Sequence, residues 1–594
     1  MNICWSRFIL AALTTFLLTR VALSSRAQEP GNRPARPPAG NPAVASQTAV
    51  HQGTTETGPN PGISTAAVDQ LLDRIVEREH QLLESLGPRT PQIETYIQET
   101  PGGERPTRDH YFLGRFRLAG AVGYEPLLAH TDPPSAKPAS RFPLRPAPAR
   151  PAASPLTFLP RGFAQMAAID LREFNREVYR FEYVRREFLG EVRCLVFDVT
   201  PVNRRQPGKF IGRLWVEDRD YAIVRFNGTY IPSPTPKGAQ PELYFHFDSW
   251  RVNVGGALWA PAQIYIEEEG SQASGLGTRF KAQSRIWDYA AKPGAKLAEL
   301  TSILVDGAVG AGGRDAAPDV SPLESQRSWE RQAEENLIAR LEKGGLLAPR
   351  GPVDQVLDTV ANNLIVSAKL AVEVHCRVLL TTPLESFAIG HTIVVSRGLI
   401  DVLPDEASLA LVVADQLSHI ALGHRTETQY AFTSQTMLSD PEVLERLRFE
   451  RTPEEMLEAG KKTVEIVRAS PYRNTANAGL FLQALAAHTA VLPHLLQANL
   501  GNQIADARAL ARLAEFAVAA PTLDENQLEQ IAALPLGSRV RLNPWDNHIE
   551  LIQARPLALL SPREKMPFEV TPFVLYLIRA ETTAAGQGDE LVKK

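Results

Sequence analysis

The stretch Leu409 to Arg425, LALVVADQLSHIALGHR, sets polar and ionisable side chains inside a run otherwise fit for a buried helix. Asp415, Gln416 and His419 fall at i, i+1 and i+4, so Asp415 and His419 share one helical face. A hydrolytic zinc helix, H-E-x-x-H, uses this spacing: two imidazoles hold the metal and the Glu takes a proton from bound water. In Asp415-Gln416-Leu417-Ser418-His419 only the second histidine survives. Asp415 still offers carboxylate oxygen to a metal. Gln416 does not replace the base, because a carboxamide accepts no proton from bound water near neutral pH, and such a loss typically costs about 10²–10⁴-fold. Either a metal site has been rebuilt around Asp415 and His419, or the frame persists without the chemistry.

The elements that must position these residues are legible around them. Pro404 and Gly423 bracket a helix from Asp405 to about Leu422. Before it, ESFAIGHTIVVSRGLI reads as strand, Gly turn, strand and short helix. After it, Thr452-Pro453-Glu454-Glu455 is a capping box with Pro at the first helical position. From Trp329 to about Leu500 the expectation is mostly helix with a short β-element.

The segment LESFAIGHTIVVSRGLIDVLPDEASLALVVADQLSHIALGHR resembles metallopeptidase family 48, which contains the CAAX prenyl endopeptidase, HtpX and soluble periplasmic peptidases. The family's N-A-F-A-x-P-G-G strand pattern and Gly-Leu-Leu helix match ESFAIGHTIVVSRGLI with one residue fewer at the turn. The resemblance covers about Trp329 to Leu500 and implies a zincin-like domain with a degenerate site. Its E-x-x-A-D motif falls on Arg473-Asn474-Thr475-Ala476-Asn477, so Arg473 takes the third ligand position and Asn477 that of a supporting Asp. A permanent guanidinium there repels a metal. The resulting expectation is that Arg473 replaces the metal by pairing with Asp415, with Asn477 beside them. His424 is expected to cap the helix end, and His391 to face solvent at the Gly turn; His488 and His494, flanking Pro493, are assigned no metal. A site rebuilt from Asp415, His419 and His391 is the alternative.

The remaining chain sets the context. At 594 residues with 44% hydrophobic content, it exceeds the roughly 250–300 residues at which single cores stop growing. A multidomain α+β protein is expected. Residues 1–27 carry Arg7, an apolar run from Phe8 to Leu18 and a small-x-small site at Ser25-Arg26-Ala27, the layout of a signal peptide. Residues 28–62 read as a disordered leader, and Ser64 to Leu86 as a helix carrying Val68, Leu71, Leu72, Ile75 and Val76. A Pro-rich loop is expected at 133–155.

Short runs such as CLVFDV, GRLWV, YAIVRF and QIYIEEE between Tyr179 and Tyr289 read as antiparallel strands. Glu217-Asp218-Arg219-Asp220 and Asn227-Gly228 are expected to turn the chain between them. The order GRLWVEDRDYAIVRFNGTY then FDSWRVNVGGALWAPAQIYIEEE resembles the half-barrel of periplasmic lipoprotein carriers. The domains expected are therefore 63–290 (helix plus β-rich), a linker at 291–325, the metallopeptidase-like 326–502, and 503–594 as a helix and strand segment. Cys194 and Cys376 fall in different domains, which argues against a disulfide.

Net charge is −4, with no basic patch of the kind nucleic acid requires. No run after the signal approaches the ~18 apolar residues of a membrane helix. The leading expectation is a periplasmic or secreted pseudopeptidase that binds a peptide or envelope protein, with a groove beside HTIVV for strand addition, and no cofactor. One alternative is an active zinc endopeptidase holding metal through His419 and Asp415. The other is a carrier of apolar ligands or lipoproteins working through the N-terminal β-region.

Overall fold

The computed structural model describes residues 65–101, 105–130, 160–232, 245–268, 279–290, 322–426, 428, 430–432, 439–473, 476–496, 499–502, 504, 516, 520–524, 527, 539–552 and 568–580. All of them belong to one compact unit, Pro59–Lys594. The signal segment, the leader, the Pro-rich loop, positions 291–321 of the linker and most of the 503–520 helix lie outside the described residues. Mixed α+β character is plain: a large antiparallel sheet with helices on both faces.

The chain enters through α1 (Thr65–Leu86) and builds β1 (Gln92–Glu99), β2 (Arg108–Leu118) and β3 (Val122–His130). After α2 (Pro160–Gln165), a meander follows: β4 (Tyr179–Leu189), β5 (Val192–Pro201), β6 (Phe210–Glu217), β7 (Ile223–Tyr230), β8 (Phe247–Gly255), β9 (Leu258–Glu268) and β10 (Phe280–Trp287). The strand order is β3-β2-β1-β10-β9-β8-β7-β6-β5-β4. Strands β1 to β3 were not expected from sequence. The Glu217–Asp220 turn forms between β6 and β7, whereas Asn227-Gly228 does not turn the chain. Both lie inside β7, where Gly228 faces Gly212 of β6. A Cβ on either glycine would sit 2.7 Å from the other's Cα, and the Phe210 ring covers the pair. Close approach under an aromatic, not positive φ, is what these glycines supply.

One face of the sheet, here called inner, gathers Phe112, Phe116, Phe197, Phe210, Phe226, Phe247 and Phe280. Helix α1 lies on it through Leu72, Ile75, Leu82 and Leu86 and touches β2, β7 and β9. Strands β2 and β7 are five positions apart, about 24 Å, and a 22-residue helix reaches about 33 Å, so α1 crosses the strands. Because β3 and β4 occupy opposite edges, their connection must also cross. Its described part, α2 and the segment to Phe174, buries Phe163, Met166, Ile169 and Phe174 on the same face. Both edges are unfit for pairing: β3 carries Pro126, and β4 is charged and bulged between Tyr183 and Arg185.

The outer face carries Tyr96, Tyr111, Leu113, Trp250 and Trp287 and shares a core with the helical region. That region runs α3 (Pro322–Lys343), α4 (Pro352–Ala368), β11 (His375–Leu379), β12 (Ser386–Ile389), β13 (Thr392–Ser396), α5 (Arg397–Val402), α6 (Glu406–Ala421), α7 (Asp440–Arg446), α8 (Pro453–Ala469), α9 (Ala476–His488) and α10 (Pro493–Leu496), then the hairpin β14 (Val540–Leu542) and β15 (Ile549–Leu551). Asp405 caps α6 by accepting from the Ser408 amide at 2.8 Å, and Gly423 ends it at φ +74°. The capping box at Thr452 and Glu455 starts α8. Cys194 and Cys376 are separate, buried free thiols.

Buried carboxylates fasten the outer face to the helices. Glu94 of β1 accepts from the Thr382 amide and hydroxyl, both at 2.6 Å, and from Tyr111 Oη at 3.0 Å, and pairs with Arg397 at 3.1 Å. Asp109 of β2 accepts from the amides of His494 and Leu495 at 3.1 and 2.8 Å. Glu385 accepts from the amides of Asn499 and Leu500. The extended segment 568–580 docks on the outer face through Gln98 and Gln283.

Burial pushes the carboxyls of Asp109 and Glu385 up to about 7, against the pull of the amides that bond them. Between about pH 4 and 7 the folded chain therefore holds protons that the unfolded chain has released, and stability falls as pH rises across that window. Urea unfolding at pH 5 and pH 8 is expected to give lower stability at pH 8, with the drop smaller in Asp109→Asn by about 2 kcal/mol. An identical drop in both proteins would remove Asp109 from this role.

Candidate functional site

The sequence-predicted residues Asp415, Gln416 and His419 are brought together, and all three are buried. Gln416 Nε2 donates to Asp415 Oδ2 at 3.1 Å and reaches Ser386 Oγ at 3.4 Å. His419 Nδ1 lies 2.9 Å from His424 Nδ1, so one imidazole supplies the proton and the other the lone pair. His424 Nε2 in turn stands 3.5 Å from Glu458. His424 is thus a side-chain partner of His419, while its amide closes the helix end on the His419 carbonyl at 3.0 Å. The space among Ser386, Asp415, Gln416, His419, Phe481 and Asn502 is about 30 Å³, which suits water and not a peptide.

The expected ion pair between Arg473 and Asp415 is not formed. Arg473 is exposed, with no ion pair among the described residues. Asn477 donates to Asp405 Oδ2 at 2.9 Å, at the start of α6. Asp405 precedes Asp415 by ten residues, about 15 Å along a helix, so the start of α9 meets the wrong end of α6. The α9 residues that do reach the cavity are Phe481 and Leu482, neither of them a ligand. His391 is exposed and its Nδ1 meets the Glu373 carbonyl at 2.8 Å. His488 Nδ1 meets the Ala484 carbonyl, and buried His494 stacks near His110 with ring centroids 6.5 Å apart. No group of three His, Cys, Asp or Glu side chains among the described residues is placed to hold a metal ion.

The groove expected beside HTIVV is also closed. Strand β13 is central in a β11-β13-β12 sheet, parallel to β11 and antiparallel to β12. The outer edge of β12 is covered: Arg451 donates to the Ala388 carbonyl, and Gly501 packs so tightly that a Cβ there would meet Phe387 at 2.9 Å. Strand addition has no free edge at this place.

A second site, missed from sequence, lies where α1 crosses the sheet. Arg251 of β8 and Glu79 of α1 form a bidentate pair at 2.6 and 2.7 Å, each side chain 1% exposed. Arg251 lies over the Phe226 ring, 5.3 Å from its centroid, and also donates to the Ile223 carbonyl. Beside the pair opens a cavity of about 290 Å³ whose walls include Leu82, Ser85, Ala222, Ile223, Ala257 and Leu258. That is close to the lower end of small-ligand pockets, roughly 300–1,000 Å³. One signal was available: Leu72, Ile75, Glu79, Leu82 and Leu86 recur at 3-4-3-4 spacing, so a carboxylate sits mid-stripe and requires a buried partner.

No family model matches the chain, so the family-48 resemblance rests on the residues alone. No curated protein matches it either. Among solved structures it is similar to a LolA superfamily protein from Nitrosomonas europaea, at 13% identity and a TM-score of 0.20, over 37% of this chain and 91% of that one. It is also similar to a DUF1329 family protein from Desulfovibrio piger, at 11% identity and a TM-score of 0.18, over 36% and 90%. Scores this low carry neither geometry nor function to this chain.

Exposed and unpaired, Arg473 contributes little. Arg473→Met is expected to change unfolding free energy by less than about 0.5 kcal/mol. A loss near 3 kcal/mol in thermal or urea melts would instead reveal a buried pair.

Proposed function

We propose that the protein is a carrier of apolar ligands that works through the ten-stranded sheet and α1, exported to the periplasm or beyond. The observation that carries this reading is the cavity between α1 and β7–β9, where Leu82, Ala222, Ile223, Ala257 and Leu258 form an apolar wall beside the charged and amide groups of Arg78, Glu79, Gln81 and Arg251, on an inner face that α1 covers together with α2. An apolar wall beneath an amphipathic helix is suited to accept a chain-like guest when that helix shifts. No helix among the described residues is long and apolar enough to cross a membrane, and the export assignment rests on the signal-like N-terminus.

The helical region has another place in this reading. The order β12, turn, β13, α5, α6 follows the family-48 layout, and we interpret it as a zincin-like frame converted to a structural body. Filled space around Asp415 and His419, a covered β12 edge and apolar residues at the α9 positions favour a supporting role over proteolysis. A peptide or envelope-protein partner then belongs to the carrier's delivery and not to a cleft in this region.

Binding of the fluorophore N-phenyl-1-naphthylamine tests the proposal. Saturable enhancement of fluorescence is expected in the unaltered protein and at least a tenfold weaker response in Ala257→Trp, which sets an indole in the cavity wall. Absence of saturable binding would refute carriage at this site.

A further inference from the structure

The Glu79–Arg251 pair sits under the only part of α1 that is both buried and charged among the described residues, and it lines the cavity just described. On the strand side the guanidinium is fixed. Both Nη atoms are engaged, the Phe226 ring lies beneath, and Nε is buried with no hydrogen-bond partner among the described residues. Two residues earlier on the same inner face, the fully buried Ser249 hydroxyl is likewise unpartnered. On the helix side, among the described residues, the carboxylate is held by Arg251 alone.

We propose that Glu79 is a built-in stand-in for the ligand's own head: the site takes an amphiphile with a carboxylate at one end and an apolar chain, and that carboxylate replaces Glu79 on Arg251 as α1 lifts. This rests on the carrier reading and names its ligand class. The geometry already seats a carboxylate end-on, with one oxygen on each of the two Nη atoms, a bidentate fork that a guanidinium favours. Charge balance makes the exchange selective. When α1 lifts, Glu79 passes to water and is hydrated, while Arg251 stays on the sheet; a ligand carboxylate leaves no buried charge unpaired. A neutral chain of equal length leaves Arg251 buried and unpaired once α1 lifts, so the exchange discriminates against it. The apolar walls, Leu82, Ile223 and Leu258, then meet the chain next to its head.

Displacement of bound N-phenyl-1-naphthylamine from the full chain by decanoate or decanol, at pH 8 and below micellar concentrations, tests this. Decanoate is expected to displace the reporter at concentrations at least tenfold lower than decanol. Arg251→Gln is expected to abolish that advantage. Glu79→Gln, which removes the competing carboxylate but leaves Arg251, is expected to tighten decanoate at least threefold. If the reporter binds but decanoate and decanol displace it equally, the carboxylate inference falls and the carrier reading stands. If the reporter does not bind, both fall. Should Arg251→Gln fail to fold, the comparison of the two ligands in the unaltered protein and in Glu79→Gln still decides.

Discussion

The central strands β2, β1, β10 and β9 and the first half of β8 are buried on both faces, and the rest of the molecule follows from that constraint. A sheet with water on one face can leave its polar side chains in solvent; these strands cannot. Every ionisable group buried on them needs a counterpart on the layer above or below. On the outer face the counterparts are amides and Arg397 from the helical region, and on the inner face the counterpart is Glu79 of α1. The helical region and α1 are therefore electrically, as well as hydrophobically, part of the sheet.

The two inward-facing polar places differ in what holds them. Around Asp415 the neutralising groups are neighbours on the same helix or on packed elements with no room to part: Gln416 bonds Asp415 directly, and His419 leans on His424. At Arg251 the neutralising group belongs to one helix lying across a sheet. The first is a site closed by packing. The second is closed by a contact that a competing anion can replace.

The same constraint explains what was legible in sequence. Strands β5 to β10 showed themselves because their buried positions are filled by β-branched and aromatic residues. Strands β1 and β2 were hidden, since QIETYIQE and RDHYFLGRFRL bury Gln92, Glu94, Gln98, Asp109 and Arg115 against the helical region, and a buried polar residue looks like an exposed one in a pattern of hydrophobicity. Helix α6 was plain from its local punctuation, Pro404, Asp405 and Gly423. The pairing of Arg473 with Asp415 failed because the offset between α6 and α9 is set by packing that no local signal encodes. Asn227-Gly228 failed because a turn dipeptide was serving a close strand approach under Phe210.

The pairing of β1 with β10 joins residues about two hundred positions apart and bears on how the chain comes to fold. During vectorial emergence from the N-terminus, β1 to β3 can form a meander early, but β1 stays an open edge until β10 has arrived. Contacts of such sequence separation close slowly, and an unpaired strand edge invites pairing with other chains in the interval. Acquisition of the native state is thus governed by the arrival of β10, and the early meander is the part of the nascent chain most in need of protection.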